Sequence, residues 1–292
     1  MRFDCARNLL NSTAGSLFVV ATPIGNLDDI STRALKVLRE VKLIAAEDTR
    51  HSLRLMQHFG VSTPLASCHK HNERDASSRF IARLLTGDDI ALIADAGTPL
   101  IADPGYHLVY QARAASINVV PIPGVCALIA ALSAAGLSSD RFLFDGFLPA
   151  KTFARRARLR TLKEEPRTLI FYEAPHRILE CLQDMELVFG GKRLALLARE
   201  LTKTFETIKG LPLEELHAFV QDDTNQQRGE CVVLVAGWTK LQNHNEVGSE
   251  AIRILDLLLK EMPLKCAVLL AAKITGLRRN ALYQVALDKQ QN

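Results

Sequence analysis

The chain has 292 residues and a mass of 32.3 kDa, enough for two ordinary domains, and its 48% hydrophobic content fills a core in each. That composition excludes a disordered chain, and no apolar run, not even VCALIAALSAAGL, reaches the roughly 18–20 residues needed to cross a bilayer. A net charge of +4 and a pI near 8.7 fit occasional contact with a polyanion without establishing one.

The N-terminal segment, MRFDCARNLLNSTAGS, lacks the apolar core of a secretory signal. From there short β-branched runs alternate with helix-period segments. SLFVVAT (16–22) precedes a helix through Ala34, Val37, Leu38 and Val41; KLIAA (42–46) precedes helices near 50–58 and 73–85. The strand DIALIAD, a helix from about Pro104, the strand INVVPI (117–122) and a helix from about Gly124 to Ala135 follow. This alternation predicts βαβ units and a mainly parallel sheet covered on both faces. From about Arg141 the rhythm changes to RFLFDGF, a basic helical stretch, RTLIFYE, a helix, RLALLARE, TFETIKG, a helix and GECVVLVAG. RLALLARE and TFETIKG are so closely spaced that they read as an antiparallel pair in a second α/β domain. The expected organisation is an extension at 1–15, α/β domains at 16–122 and 123–238, and a polar linker with a helical tail at 239–292. Six cysteines (Cys5, Cys68, Cys126, Cys181, Cys231, Cys266) lie scattered without a Cys-x-x-Cys pair. They read as buried reduced thiols and point to a cytoplasmic address.

The loop DAGTPLIADPG, Asp95 to Gly105, begins where a strand ends, the place where open α/β sheets bind ligands. Asp103 before Pro104 reads as an N-cap with proline at the first helical position, and Gly97 and Gly105 permit tight turns or close backbone approach. The loop holds no Lys or Arg, and the chain has no Walker or dinucleotide fingerprint, which argues against ATP and NAD. A phosphate-free, positively charged cofactor such as S-adenosylmethionine fits better, although a purely structural strand-to-helix turn uses the same residues. TPIGNLDDIS (22–31) repeats this chemistry after the first strand. AEDTR (46–50) either aims a carboxylate and a guanidinium into the crevice or simply starts a capped helix.

The ordered set TPIGNLDDIS, AEDTR, DAGTPLIADPG, FDGFLPAK, FYEAPHR, ARELTKTFE and GECVVLV resembles the small-subunit ribosomal RNA methyltransferases of the tetrapyrrole methylase superfamily. The resemblance spans nearly the whole chain. One departure is Val125 in PIPGVCALIAALSAAGL, where that family leads one to expect a second proline. The resemblance implies transfer of the methyl group of S-adenosylmethionine to a ribose 2'-hydroxyl of a decoding-centre cytidine in 16S ribosomal RNA of the 30S subunit. It also implies two α/β domains with the cofactor in the cleft between them, and a homodimer. By motif match it carries cofactor contact to Pro23, Asp95, Gly97, Ile101, Ala102, Asp103, Cys126 and Ala127, and from the second domain to Phe147, Leu148, Tyr172, Glu173, Leu201, Thr202 and Glu230. Two rival functions are a tetrapyrrole (corrinoid-pathway) methyltransferase and a non-catalytic ribosome-assembly factor.

A sulfonium methyl is already activated, so the protein's task is chiefly to hold the acceptor oxygen in line. A base adds about 10²- to 10⁴-fold, and Glu47, Asp48, Lys203 and Glu173 are the candidates, with Glu47 and Asp48 ahead. Lys203 needs a pKa lowered by burial to act so; otherwise it is a phosphate contact or a surface cation. CHKHNE (68–73) does not have zinc spacing; its His69, Lys70 and His71 face RNA or solvent. AKTFARRARLRTLK sets Lys151, Arg155 and Arg158 on one helical face beside Arg156, either a row that tracks phosphates or a solvated surface. PLKCAVLLAAKITGL and RRNALYQVAL read as two short helices about Gly276, a helix-turn-helix-like appendage. Its Lys265, Lys273, Arg278 and Arg279 suit structured RNA, recognised by shape and phosphate.

Overall fold

The computed structural model describes residues 14–239 and 249–290. The N-terminal extension, with Cys5, and most of the polar linker therefore lie outside the described residues. Contacts divide the chain into two compact units, Met1–Trp238 and Thr239–Asn292. No helix among the described residues is long and apolar enough to cross a membrane.

The first half of the larger unit runs β1 (Ser16–Val20), α1 (Thr32–Glu40), β2 (Leu43–Ala46), α2 (Thr49–His58), β3 (Leu65–Ser67), α3 (Glu73–Leu85), β4 (Ile90–Ile93), α4 (Tyr106–Ala114) and β5 (Asn118–Ile122). The strands form a sheet of order β3-β2-β4-β1-β5, every pairing parallel. β2 and β4 are buried at every position, as strands covered on both faces must be. Leu17, Leu92 and Phe80 pack on one face and Val20, Ile44 and Met56 on the other. The carboxyl ends of β1, β2 and β4 all point their loops to one edge.

The second half runs α5 (Ala127–Ala134), β6 (Phe142–Phe147), α6 (Thr152–Thr161), β7 (Thr168–Glu173), α7 (Ile178–Phe189), β8 (Leu194–Arg199), β9 (Thr207–Pro212), α8 (Leu213–Asp222) and β10 (Cys231–Val235). The sheet order is β6-β7-β10-β8-β9, parallel only between β6 and β7. Helices α6, α7 and α8 cover one face through Leu159, Leu182, Met185 and Leu216. The other face packs Ile170, Leu196, Val232 and Leu234 against Leu128, Ala131 and Leu132 of α5 and Ile24 of the β1 loop. That shared apolar cluster joins the two halves.

Three expectations are corrected here. The helix after DAGTPLIADPG is capped not by Asp103 but by a residue from another helix. It begins at Tyr106, and Glu73 Oε1 accepts from the backbone N–H groups of Gly105 (3.0 Å) and His107 (2.7 Å). The β8–β9 turn is longer than the sequence spacing suggested: β9 starts at Thr207, because Glu200 (φ +51°) and Thr202 (φ +66°) turn the chain through left-handed conformations first. Among the described cysteines, Cys68, Cys181 and Cys231 are buried but Cys266 is exposed, since it sits on the outer face of a tail helix.

The smaller unit holds three helices: α9 (Ser249–Glu261), α10 (Leu264–Thr275) and α11 (Arg279–Gln290), packed around Leu255, Val268, Ala271, Leu282 and Ala286. Gly276, at φ +71°, ends α10 in the left-handed conformation that glycine adopts without penalty.

Candidate functional site

Asp95 to Gly105 leaves β4 as a loop held on two sides. Gly97 and Thr22 exchange two backbone hydrogen bonds, each 2.9 Å, so this loop and the TPIGN loop run as a short antiparallel bridge. Asp95 Oδ1 accepts from the backbone N–H of Asp48 at 3.0 Å, tying in the loop after β2. Within nine residues the chain adopts positive φ four times, at Gly97 (+78°), Leu100 (+74°), Ala102 (+69°) and Gly105 (+125°). Non-glycine residues in that region cost about 1–3 kcal/mol each and collect where main chain must be presented to a ligand.

The TPIGN loop meets the loop after β8 across the two halves. Asn26 N–H donates to Thr202 Oγ1 at 3.0 Å. Gly25 lies so close that a Cβ there would stand 2.5 Å from Lys203 Cγ. Lys203 Nζ sits 2.8 Å from both Glu200 and Glu230, which fixes its stem against Gly25. Burial works to lower the Lys203 pKa, but the hydrogen bonds its ammonium donates to the two carboxylates outweigh it and the pKa is raised.

Between these loops and the second sheet lies a cavity of about 410 Å³, within the range of small-molecule sites. The first half lines it with Glu47, Asp95, Gly97, Ile101, Ala102 and Asp103; Cys126 and Ala127 come from the start of α5. The second half adds Phe147, Tyr172, Glu173, Leu201 and Glu230. Among the described residues no Lys or Arg lines it, and the carboxylates of Glu47, Asp95 and Asp103 lie together in its wall. Burial, aided by Glu47 and Asp95, pushes the Asp103 carboxyl up to about 7. Burial and Asp95 likewise raise Glu47. Tyr172 Oη accepts from Leu128 N–H at 3.2 Å and so caps α5; burial drives its phenol pKa upward. The arrangement favours a cation in the cavity.

Several sequence assignments sit elsewhere. Pro23, Leu148 and Thr202 do not line the cavity: Pro23 is buried in the loop, Leu148 belongs to the core and its carbonyl accepts from Arg177 at 2.6 Å, and Thr202 serves the loop contact above. Asp48 is no base. It caps α2 and grips Arg50 at 3.0 Å, and the Arg50 hydrogen bonds hold its carboxyl at about 2. Arg50 is not aimed into the crevice; its side chain is 90% exposed beside Asp48. Lys203 does not line the cavity and is ion-paired with Glu200 and Glu230, which raise its pKa where a base would need it lowered. Glu173 is tied to Arg177 at 3.2 Å and to its neighbouring backbone N–H at 2.8 Å.

The basic row on α6 is also corrected. The Arg155 side chain is 1% exposed, donating to Asp184 at 2.6 Å. Arg156 shares Asp184, and Arg158 pairs with Asp145. Arg155 is turned inward, whereas Arg156 is half-buried and Arg158 exposed; all three are paired with carboxylates of α7 and β6, and Lys151 is exposed. In the tail, Lys265, Lys273, Arg278 and Arg279 are all exposed. Sequence reasoning missed Ile24, Ala96, Thr98, Ala174, Pro175, Cys231 and Val232 of the cavity wall. Most are small or apolar neighbours of assigned residues, and the only sequence signal for them was their place within the same loops.

Comparison with known proteins places this geometry. The model of the tetrapyrrole (corrin/porphyrin) methylases matches residues 16–217, and that of the RsmI C-terminal HTH domain matches residues 245–290. The chain is 70% identical over 278 residues to the ribosomal RNA small subunit methyltransferase I of Pseudomonas aeruginosa, covering 95% of this chain and 99% of that protein. With the protein of the same name from Haemophilus influenzae the identity is 50% over 278 residues, covering 95% and 98%. Among solved structures, the methyltransferase CobJ superposes with a TM-score of 0.58 at 21% identity, over 77% of this chain and 95% of that one. Uroporphyrin-III C-methyltransferase from Thermus thermophilus, complexed with S-adenyl homocysteine, gives 0.54 at 17%, over 76% and 97%. At such identities these two structures speak to the fold alone.

Proposed function

The chain belongs to the tetrapyrrole (corrin/porphyrin) methylase family, and from that premise we propose that it methylates the 2'-hydroxyl of a decoding-centre cytidine in 16S ribosomal RNA, using S-adenosylmethionine. The reading includes the small (30S) ribosomal subunit as partner, a cytoplasmic address and a homodimer. The observation that carries it is the joining, in one chain, of a base-free, carboxylate-lined cavity to a tail with four exposed cations. The names of relatives up to 70% identical support the same substrate class.

The residues present fit the cofactor. Among the described residues the cavity wall offers a triphosphate no cation, whereas Asp95, Asp103 and Glu47 would suit a sulfonium and an ammonium. The strained main chain of 97–102 offers N–H and C=O groups to a polar ligand, and Ile101, Leu201 and Phe147 offer apolar surface. When bound, S-adenosylmethionine supplies an activated methyl group. The chain's part is to exclude water, orient the acceptor ribose and receive its proton, for which Glu47, with its raised pKa, is better matched than Asp48. Asp95 positions the loop that carries Asp48 and Glu47 through its hydrogen bond to the Asp48 backbone. Lys265, Lys273, Arg278 and Arg279 would contact RNA phosphates, as would Lys151 on the larger unit. Phe153 and Phe205, 82% and 74% exposed, are large rings a subunit interface would cover.

The test is substrate competition with labelled S-adenosylmethionine. Label entering small-subunit RNA and not a tetrapyrrole precursor supports the reading; label entering only the tetrapyrrole moves the chain to a corrinoid-pathway role. Cofactor binding without any transfer leaves a non-catalytic assembly factor.

A further inference from the structure

Large exposed rings usually occur singly on a protein surface. On the first turns of α4, Tyr106 (66% exposed) and Tyr110 (60%) instead stand together, ring centroids 6.0 Å apart and planes 28° apart. One cation reaches them through a histidine. The His107 ring lies 6.1 Å from Tyr106, and its Nε2 accepts from Arg74 Nε at 3.1 Å, a contact that leaves the guanidinium charge uncompensated. Arg74 belongs to α3, whose first residue, Glu73, caps α4 and so fixes the two helix starts against each other. Lys70 and His71, in the loop before α3, are exposed and carry no hydrogen bond or ion pair among the described residues. Of the two carboxylates nearest in sequence, Glu73 is consumed by the cap and only Asp75 is exposed.

The patch adjoins the cavity. Asp103, just upstream of Tyr106, lines it, and His69, whose ring is 6.0 Å from that of His71, acts electrostatically on Glu47. Exposed rings that offer π-faces, with the basic Lys70 and Arg74 around the start of the packed helix α3, are the chemistry of single-stranded nucleic-acid binding, in which bases stack and phosphates pair. An aliphatic interface between copies has no need of that charge. Resting on the RNA reading above, we propose that Tyr106 and Tyr110 form a base-stacking platform. On it unpaired nucleotides next to the target ribose lie, with Lys70, His71 and Arg74 holding the adjoining phosphates. On α6, by contrast, Arg155, Arg156 and Arg158 are each already paired with a carboxylate of the protein.

The test uses the full-length protein and small ribosomal subunits lacking the methyl group. Tyr106→Leu/Tyr110→Leu keeps apolar area but removes π-faces; Tyr106→Phe/Tyr110→Phe keeps the faces. The Leu pair is expected to weaken subunit binding roughly 5- to 100-fold, with the Phe pair within about twofold of the unaltered protein. Lys70→Gln/Arg74→Gln should lower the slope of log affinity against log salt by about 1.4. S-adenosylmethionine affinity and mass in solution should stay unchanged in all three. Unchanged subunit affinity and salt slope would overturn the platform while methylation of RNA by the unaltered protein leaves the function standing. A dimer broken to monomers by the Leu pair would overturn it too, assigning this face to a second copy. Failure of the unaltered protein to bind or methylate RNA removes both.

Discussion

Replacing Gly25 by alanine tests whether the two halves must close on each other to hold the cofactor. The added Cβ would lie 2.5 Å from Lys203 Cγ, 2.8 Å from Thr202 Oγ1 and 3.0 Å from the Leu201 carbonyl oxygen. Carbon atoms rest at about 3.5–4.0 Å, so the loops must part by about 1 Å. Lys203 cannot swing aside cheaply, because its ammonium is held at 2.8 Å by both Glu200 and Glu230. Overpacking of this kind costs about 1–3 kcal/mol. Loss of the Asn26–Thr202 hydrogen bond adds about 0.5–1.5 kcal/mol. Ile24 and Leu201 line the cavity on either side of the junction. If binding needs it closed, the packing term alone raises the Kd for S-adenosylmethionine roughly 5- to 150-fold. Titration calorimetry reads that Kd directly. Gly136→Ala is the control: it forces alanine into φ +63° with nothing within 4 Å, so it loses stability without touching the site. Cofactor affinity unchanged in Gly25→Ala, alongside normal folding, refutes the closure argument.

Three further outcomes are expected. In the free protein Asp103 is neutral below about 7, and a cation in the cavity favours its ionised form. Binding of S-adenosylmethionine near pH 6.5 should therefore release a proton, and affinity should rise with pH until about 7 and then level. Calorimetry in buffers of different ionisation enthalpy measures this release, which Asp103→Asn should abolish. Asp184→Asn removes the buried countercharge of Arg155, leaving it the Ala150 carbonyl at 3.2 Å and a 3.4 Å contact to exposed Glu180. Breaking such a buried pair costs about 3–5 kcal/mol, a fall in Tm of about 10 °C by calorimetric scanning; Arg155→Met/Asp184→Leu should recover much of it. Changing Lys265, Lys273, Arg278 and Arg279 together to Gln should reduce the salt slope of small-subunit binding by about 2.8 while cofactor affinity holds. An unchanged slope removes the tail from the RNA contact.

The alternation of apolar runs and helix-period segments made the parallel first sheet legible, because buried strands such as IALI and LIAA have few other ways to satisfy their backbone. The three-residue β3 escaped notice: Leu65–Ser67 carries too little pattern to stand out. Loop chemistry marked the cavity well. Gly97, Ala102 and Asp103 lie where a strand-end loop without basic residues put them. What could not be read was the partner of each charge. Arg155 and Arg158 share a helical face whatever lies opposite, and only the fold brings Asp184 and Asp145 there. The same holds for the bases: Asp48 and Glu47 are neighbours in sequence, yet one caps a helix beside Arg50 while the other turns into the cavity. Asp103 looked like a helix cap because Asp-Pro has that signature, and the cap came from Glu73, distant in the chain.

The most direct test of the central claim joins transfer to position. Small subunits lacking the modification are incubated with labelled S-adenosylmethionine and the protein, their RNA is digested, and the labelled nucleotide is identified. Glu47→Gln is run in parallel. The account predicts label in a single 2'-O-methylcytidine of the decoding centre, with turnover at saturating S-adenosylmethionine reduced about 10²- to 10⁴-fold in Glu47→Gln. Label on a base instead of a ribose, or full turnover in Glu47→Gln, would contradict it.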